Sequence, residues 1–193
     1  MGKKTSKTLI IPTLTINEEL LLMTIRCIES YQNQADCIIV MEDGGLYSKS
    51  LQTLANIYIY GKENVGFTKN VNRGWNLSHT DFTFIVNSDT YLIDGKLEDL
   101  CRENQVVCPS IVNLDNYPGF TGSFWVVPKD IKEKYGLLDE RFKNYESDLE
   151  YYERIKHLFH KNLDVKIYHT KGQTVKVAGF NVQEEQQKDA LKW

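Results

Sequence analysis

The chain has 193 residues, 41% of them hydrophobic and 25% charged, with a formal net charge of −3 and a pI of about 5.8. That length suits one globular domain with a real core, or one domain with a small appendage. The acidic balance excludes a nucleic-acid binder held by bulk electrostatics, though not a local basic groove.

The N-terminus, "MGKKTSKTLIIP", begins with lysines and carries too short an apolar stretch for a signal peptide. It fits the short M-G-x-x-x-S pattern of myristoylation, but a flexible, solvated basic arm over residues 1–7 is the simpler reading. "TLIIP" (Thr8–Pro12) and "CIIVM" (Cys37–Met41) are short, apolar and β-branched, as strands buried on both faces of a parallel sheet are. Between them Asn17 can cap a helix that places Leu21, Ile25 and Ile28 on one face. "IYIY" (Ile57–Tyr60) reads as a strand, and "GFTKNVNRGWNL" as partly helical, with Phe67, Val71 and Trp75 at fourfold spacing. "FTFIV" (Phe82–Val86) is the next buried strand, and it breaks abruptly into Asn87-Ser88-Asp89-Thr90.

The first ninety residues therefore predict β-α-β-β-α-β, an open α/β half-domain whose ligands bind at the carboxyl ends of the strands. In the second half, "VVCPS" and "GSFWVV" read as strands and "DIKEKYG" as a short helix stopped by Gly136. The pattern then predicts a charged helix over Glu146–His160, a strand at "DVKIYHT", and a polar helix or frayed tail at "VQEEQQKDALKW". No repeat, low-complexity tract or long linker interrupts the chain, which predicts one domain. No apolar run approaches the roughly 18 residues of a membrane span. Cys27, Cys37, Cys101 and Cys108 form no C-x-x-C pair and read as reduced thiols, which predicts a cytoplasmic protein.

Four polar clusters fall at predicted element ends: Glu42-Asp43, Asp89, Asp148 with Glu146 and Glu150, and His169. Each has a plain structural reading. Asp43-Gly44 is a common turn pair, Asp89 can cap a turn, Asp148 and Glu150 can be a solvated helix face, and His169 can simply end a strand. Together, carboxylates and one histidine at strand ends can converge on a divalent cation. Hard oxygen ligands with at most one imidazole suit Mg²⁺ or Mn²⁺, which keep waters and bind substrate phosphates. Neither G-x-x-x-x-G-K-S/T nor G-x-G-x-x-G is present, so phosphates would be held by a metal rather than by a glycine-rich cradle.

The order of these clusters resembles a family 2 glycosyltransferase of the GT-A fold, over about Thr8 to Thr174. The matching stretches are "IIPTLTINEELLLMTIRCIESYQNQADCIIVMEDGG", "ENVGFTKNVNRGWNLSHTDFTFIVNSDTYLIDGKLEDL", "GSFWVVPKDIKEKYGLLDERFKNYESDLEYYERI" and "IYHTKGQT". The resemblance implies a single Rossmann-like α/β domain with a central, mostly parallel sheet flanked by helices. Its nucleotide-sugar half would span about 8–95, its acceptor and catalytic half about 96–175, and a C-terminal helix or tail 176–193. It further implies inverting transfer of a sugar from a UDP- or dTDP-type donor to an acceptor hydroxyl, with Mn²⁺ or Mg²⁺ as cofactor.

Carried over residue by residue, Thr13, Glu42 and Asp43 would meet the nucleoside, and Asn64, Lys69 and Asn72 would line the nucleotide side. Asn87-Ser88-Asp89 stands at the family's D-x-D motif, in the form of a branch with Asn-x-Asp-Thr. Asp89 and His169 would hold the metal, and Asp148 would be the catalytic base. Tyr117, Phe120, Gly122 and Glu146 are candidates for acceptor or sugar contact, since aromatic faces stack on sugars. Three positions depart from the pattern: Ser147 where Glu is usual, Lys69 where a small residue or Arg is usual, and Thr15 in place of Asn. The acceptor is not specified; a saccharide or lipid-linked saccharide follows by analogy, with a modified nucleobase or protein side chain also open, and the chain has little room for an acceptor domain. The competing readings are a non-catalytic nucleotide-sugar-binding protein and a sugar-phosphate nucleotidyltransferase. The latter lacks its glycine-rich loop after the first strand.

Overall fold

In the computed structural model, which describes residues 5–46, 48–114, 117–170 and 181–193, the elements alternate as the hydrophobic pattern predicts. Strand β1 (Lys7–Thr13) leads through α1 (Glu18–Tyr31) to β2 (Cys37–Asp43). Then come α2 (Lys49–Leu54), β3 (Ile57–Gly61), α3 (Phe67–Leu77), β4 (Phe82–Val86) and β5 (Thr90–Asp94). After β6 (Val106–Ile111) and β7 (Phe124–Pro128) follow α4 (Lys129–Tyr135), α5 (Ser147–Ile155), β8 (Phe159–His169) and α6 (Val182–Ala190). Asn17 caps α1 as expected, its side chain accepting from the Leu20 N–H at 3.0 Å.

One eight-stranded sheet runs in the order β3-β2-β1-β4-β7-β6-β8-β5. Its β3-β2-β1-β4 half is parallel throughout, β6 and β8 are also parallel, and β7 and β5 pair antiparallel with their neighbours. Alternate residues of β1 feed two cores. Leu9 and Ile11 pack in the cluster that holds Cys27, Ile28 and Tyr31 of α1, while Ile10 packs in the one that holds Val71 and Trp75 of α3 and Tyr151 and Ile155 of α5. Each such fully buried side chain is worth about 1.5–3 kcal/mol. This is why an uninterrupted apolar run, rather than alternation, marks these strands.

Several expectations are corrected. The basic arm ends before residue 7: Lys7 is buried in β1, and its ammonium meets the Glu98 carboxylate at 2.6 Å. The helix expected over Glu146–His160 stops at Ile155, turns through a 3₁₀ segment at Lys156–Leu158, and becomes strand β8 at Phe159. The strand expected at "DVKIYHT" is the second part of β8; its first part hides from pattern reading because the strand is bulged. Asn162 Oδ1 accepts from the Asp164 and Val165 N–H groups, both at 2.9 Å, and the register against β6 jumps between Pro109 and Ser110. Pro109, with no N–H to give a neighbouring strand, sits at that irregularity. Both α2 and β5 went unread. All four cysteines are free thiols. Among the described residues no helix is long and apolar enough to cross a membrane.

Candidate active site at the strand tips

The tip of β4 is built to turn. The Asn87 N–H donates to the Ser123 carbonyl at 2.8 Å, and the Asn87 carbonyl accepts from the Thr90 N–H at 3.1 Å and its hydroxyl at 2.9 Å. The chain then restarts as β5, whose pairing with β8 sets Thr90 opposite His169. That register brings together two candidates eighty residues apart in sequence: Asp89 Oδ1 lies 3.1 Å from His169 Nε2. The Thr170 N–H and hydroxyl both donate to the Asp89 carbonyl at 3.0 Å, and Asn113 Nδ2 donates to the His169 carbonyl at 2.7 Å. Asp89 and Ser88 are each only 6% exposed. Two residues before Asp89, the buried Asn87 Oδ1 has no hydrogen-bond partner among the described residues.

This arrangement fits a small divalent cation. Ligands at right angles on an octahedral ion, each at about 2.0–2.1 Å, stand about 3.0 Å apart, close to the Asp89–His169 separation. Among the described residues no group of three or more His, Cys, Asp or Glu completes a protein cage. The remaining positions would therefore fall to water and to oxygens of a bound molecule, as Mg²⁺-type ions prefer. A cleft of about 230 Å³ opens beside Asp89, lined by Leu22, Met23 and Arg26 of α1 with Thr90, Tyr91 and Thr170. The Arg26 guanidinium lies over the Tyr91 ring, 3.7 Å from its centroid, and Tyr91 stacks on Tyr168 at 5.2 Å. Sequence reasoning missed Arg26, whose only signal was a cation on the exposed side of an amphipathic helix.

Asp148 sits in the first turn of α5. Glu146, just before that helix, adopts a left-handed conformation (φ +67°), which is uncommon for a residue with a side chain. Ser147, at the position where Glu was the usual residue, is wholly buried and accepts from the Thr68 hydroxyl at 2.7 Å, tying α5 to α3. Burial pushes the Asp148 carboxyl up from the usual range, against the pull of N–H groups at its own helix start; the Glu146 charge adds to the upward shift. Gly122 lies directly against this carboxylate, and a methyl group there would collide with Asp148 Oδ2. Its neighbour Ser123 supplies the carbonyl that holds Asn87, so Asp148 is tied through two residues to the strand tip.

The expected nucleoside-side residues are organised differently. Thr13 is buried with its hydroxyl on the Thr24 hydroxyl at 2.9 Å. Glu42, 1% exposed, accepts from the Thr15 N–H at 2.9 Å, the Thr15 hydroxyl at 2.5 Å and the Gly45 N–H at 3.1 Å. Thr15, one of the departures from the family pattern, is thus the internal partner of Glu42. Asn72 donates to the Leu138 carbonyl at 2.9 Å and to Glu140 Oε1 at 3.1 Å, and accepts from the Leu138 N–H at 3.0 Å. The side chains of Thr13, Glu42 and Asn72, expected on the nucleotide side, are buried with their polar atoms engaged internally. Asp43 shapes the wall, accepting from Val65 N–H at 2.8 Å and Gly66 N–H at 2.9 Å. Burial raises both carboxyls of the pair, with their N–H partners pulling the other way. Asn64 and Lys69 are exposed, on that loop and on the first turn of α3.

On the other side, Tyr117 is exposed and its ring lies over Gly119. Phe120, expected as a sugar platform, is partly buried against the core. It stacks on Tyr152 at 5.0 Å and meets Trp125 edge-on at 5.5 Å. The Glu146 carboxylate, expected near the acceptor, accepts from Trp193 Nε1 at 3.2 Å.

The profile of glycosyl transferase family 2 matches residues 8–179. The chain belongs to that family. Solved structures agree at the level of the fold. A mannosyltransferase from Pyrobaculum calidifontis, PcManGT, in complex with GDP-Man and Mn²⁺, superposes with a TM-score of 0.70 at 14% identity, covering 91% of this chain and 60% of that one. GalNAc-T7 with UDP, GalNAc and Mn²⁺ gives 0.69 at 8% identity, over 86% and 43%. S. aureus TarS 1-349 with UDP gives 0.65 at 14% identity, over 83% and 60%. These are GT-A glycosyltransferases, and this family member shares their sheet architecture. It spans 60% or less of the length of each. A sequence search of curated proteins returns no match.

Proposed function

We propose that this family 2 domain is a metal-dependent, inverting glycosyltransferase that moves a sugar from a nucleoside-diphosphate sugar to an acceptor hydroxyl. The observation that carries the proposal is the Asp89–His169 pair at the tip of β4, spaced as two neighbouring ligands of one cation beside an Asn87 oxygen that has no partner among the described residues. Mn²⁺ or Mg²⁺, held by Asp89 and His169, would neutralise the charge that develops on the departing diphosphate. Asp148 takes the proton of the acceptor hydroxyl as that oxygen bonds to the anomeric carbon. The bond from that carbon to the diphosphate oxygen breaks on the opposite face, and nucleoside diphosphate leaves. The raised Asp148 pKa suits this role, because a base works best when its pKa approaches the operating pH.

The nucleotide would lie along the Asp43–Val65–Gly66 wall, with Asn64 and Lys69 at its exposed rim. A uridine or thymidine donor remains our reading; the GDP-Man and UDP complexes of the similar structures define the range to be tested. The acceptor hydroxyls to be tried are those of a saccharide, a lipid-linked saccharide, a modified nucleobase and a protein side chain. The decisive experiment incubates the protein with UDP-, dTDP- and GDP-sugars, with and without Mn²⁺, and measures released nucleoside diphosphate. Mn²⁺-stimulated release from at least one donor is expected. Tight donor binding with no release from any donor, at any acceptor tried, would favour a nucleotide-sugar-binding protein.

A further inference from the structure

Outside the site, the most heavily engaged side chain is Asp189 on α6, 2% exposed. Its Oδ2 accepts from the backbone N–H groups of Asn144 and Tyr145, both at 2.9 Å, and its two oxygens share the Lys143 N–H at 3.0 and 3.1 Å. Lys192 Nζ completes the set at 2.5 Å. Three consecutive N–H groups converging on one carboxylate form an anion nest filled from within the chain. Burial alone would raise this carboxyl; the Lys192 contact and the three N–H groups overcome it and hold it at about 2.

The residues so held connect the two halves of the candidate site. Towards the nucleotide wall, the Lys143 carbonyl accepts from the Thr68 N–H at 3.1 Å and Asn144 Oδ1 from the Phe67 N–H at 3.2 Å. Gly66 lies so close that a methyl group on it would stand 2.7 Å from the Lys143 carbonyl, and its own N–H is on Asp43. Towards the catalytic side, the next residue is the left-handed Glu146, whose carboxylate meets Trp193 Nε1, and Asp148 follows two residues later. Trp193 also packs on Phe142 at 5.7 Å, and Glu185 Oε2 accepts from Asn144 Nδ2 at 3.1 Å. The C-terminal segment therefore grips the junction from one side while α3 grips it from the other.

We propose that Asp189 is a positioning residue: by anchoring the backbone of Lys143–Tyr145 it fixes the angle at which α5 presents Asp148 and the place of the α3 start beside the nucleotide wall. This rests on the reading of Asp148 as the base. It also makes residues 181–193 a working part of the site rather than a tail. Misplacement of a reacting group by an ångström can cost about 10²-fold in rate, so loss of the anchor should be read in turnover and not only in stability.

The test uses Asp189→Asn, which keeps the shape but removes the charge and one acceptor oxygen, and Trp193→Phe, an exposed position that keeps the ring and loses the N–H to Glu146. Turnover is measured per folded molecule, nucleotide affinity by calorimetry with Mn²⁺, and backbone exchange at Lys143–Tyr145 by mass spectrometry. For Asp189→Asn we expect kcat to fall about 10–100-fold, nucleotide affinity to change less than about threefold, and exchange at Lys143–Tyr145 to accelerate. For Trp193→Phe a fall of about two- to fivefold is expected, the loss of one charge-assisted hydrogen bond acting at a distance. A lowered melting temperature with unchanged kcat in both variants would overturn the proposal and leave Asp189 a stability residue. Asp148→Asn run alongside separates the two claims. Its near-full activity would sink the base assignment, whereas its inactivity together with unaltered kcat in the other two variants would sink the brace alone.

Discussion

The pair Glu42-Asp43 at the end of β2 and the tip Asn87–Asp89 after β4 both place polar groups at the ends of buried strands that flank β1, yet they are finished differently. Glu42 has its oxygens filled by Thr15 and Gly45, and Asp43 by Val65 and Gly66. At the other tip, among the described residues, Asn87 Oδ1 has no partner and the Asp89 side chain meets the imidazole of His169. A buried carboxylate satisfied by backbone N–H groups fixes the wall of a site. A buried polar atom left without a partner carries a cost of about 1–3 kcal/mol that a ligand can remove. The contrast separates residues that shape this site from those that act in it, although their sequence signals are alike.

The sharpest way to test that division is at Asp148, which the proposed mechanism places with the acting groups. Asp148→Asn should lower turnover by about 10²–10⁴-fold in a saturating-donor assay. It should also leave melting temperature unchanged or higher at neutral pH. The sign follows from burial: the folded-state pKa is raised above the unfolded value, so ionised Asp148 costs stability at neutral pH, and the cost disappears as pH falls through the folded pKa. The acid limb of the wild-type kcat profile should accordingly lie above the roughly 3.9 of a free aspartate.

Glu42→Gln should behave in the opposite manner. Burial of the Glu42 charge costs stability, as at Asp148, but here an amide NH₂ would replace one oxygen of a buried three-donor set and face a donor; that mismatch outweighs the relief, and urea unfolding should show a loss of about 1–3 kcal/mol. Turnover per folded molecule should change little; a loss as large as that of Asp148→Asn would place Glu42 among the acting groups and break the comparison. Asp189 offers a finer check through pH. Its depressed pKa contributes stability that is present above the unfolded value and is lost as pH falls towards about 2. By linkage that is about 2 kcal/mol, so the wild type should lose stability across that acid window more steeply than Asp189→Asn. The smallest effect is expected for Asn87→Asp. A second carboxylate at the tip should tighten Mn²⁺ by less than about tenfold, under 1.4 kcal/mol, because it also repels Asp89 in the metal-free protein.

Much of the parallel half of the sheet was legible in the sequence because β1, β2 and β4 are buried on both faces and so read as unbroken apolar runs. Of β8 only the second part, read at "DVKIYHT", was legible; its first part was not, because Asn162 and the bulge opposite Pro109 interrupt its pairing and only the second part carries β-branched residues. β5 was hidden by the turn that opens it. Asp89, His169 and Asp148 stand out in the sequence by residue type, position at element ends and family resemblance. Their arrangement does not, since the 3.1 Å meeting of Asp89 and His169 depends on the β5–β8 register. The internal roles of Asn72 and Asp189 depend on partners 66 and about 45 residues away, which no local pattern encodes.

The most direct measurement is calorimetric titration of UDP, dTDP and GDP into the wild type and into Asp89→Ala, with and without Mn²⁺. The account predicts that Mn²⁺ strengthens binding of at least one of these nucleotides to the wild type. It also predicts that Asp89→Ala forfeits that gain by at least the 10–100-fold that even the outer-shell partners of a metal are worth. Equal nucleotide affinity with and without Mn²⁺ in the wild type, or a Mn²⁺ effect of the same size in Asp89→Ala, would contradict the assignment of the strand tip as the metal and diphosphate site.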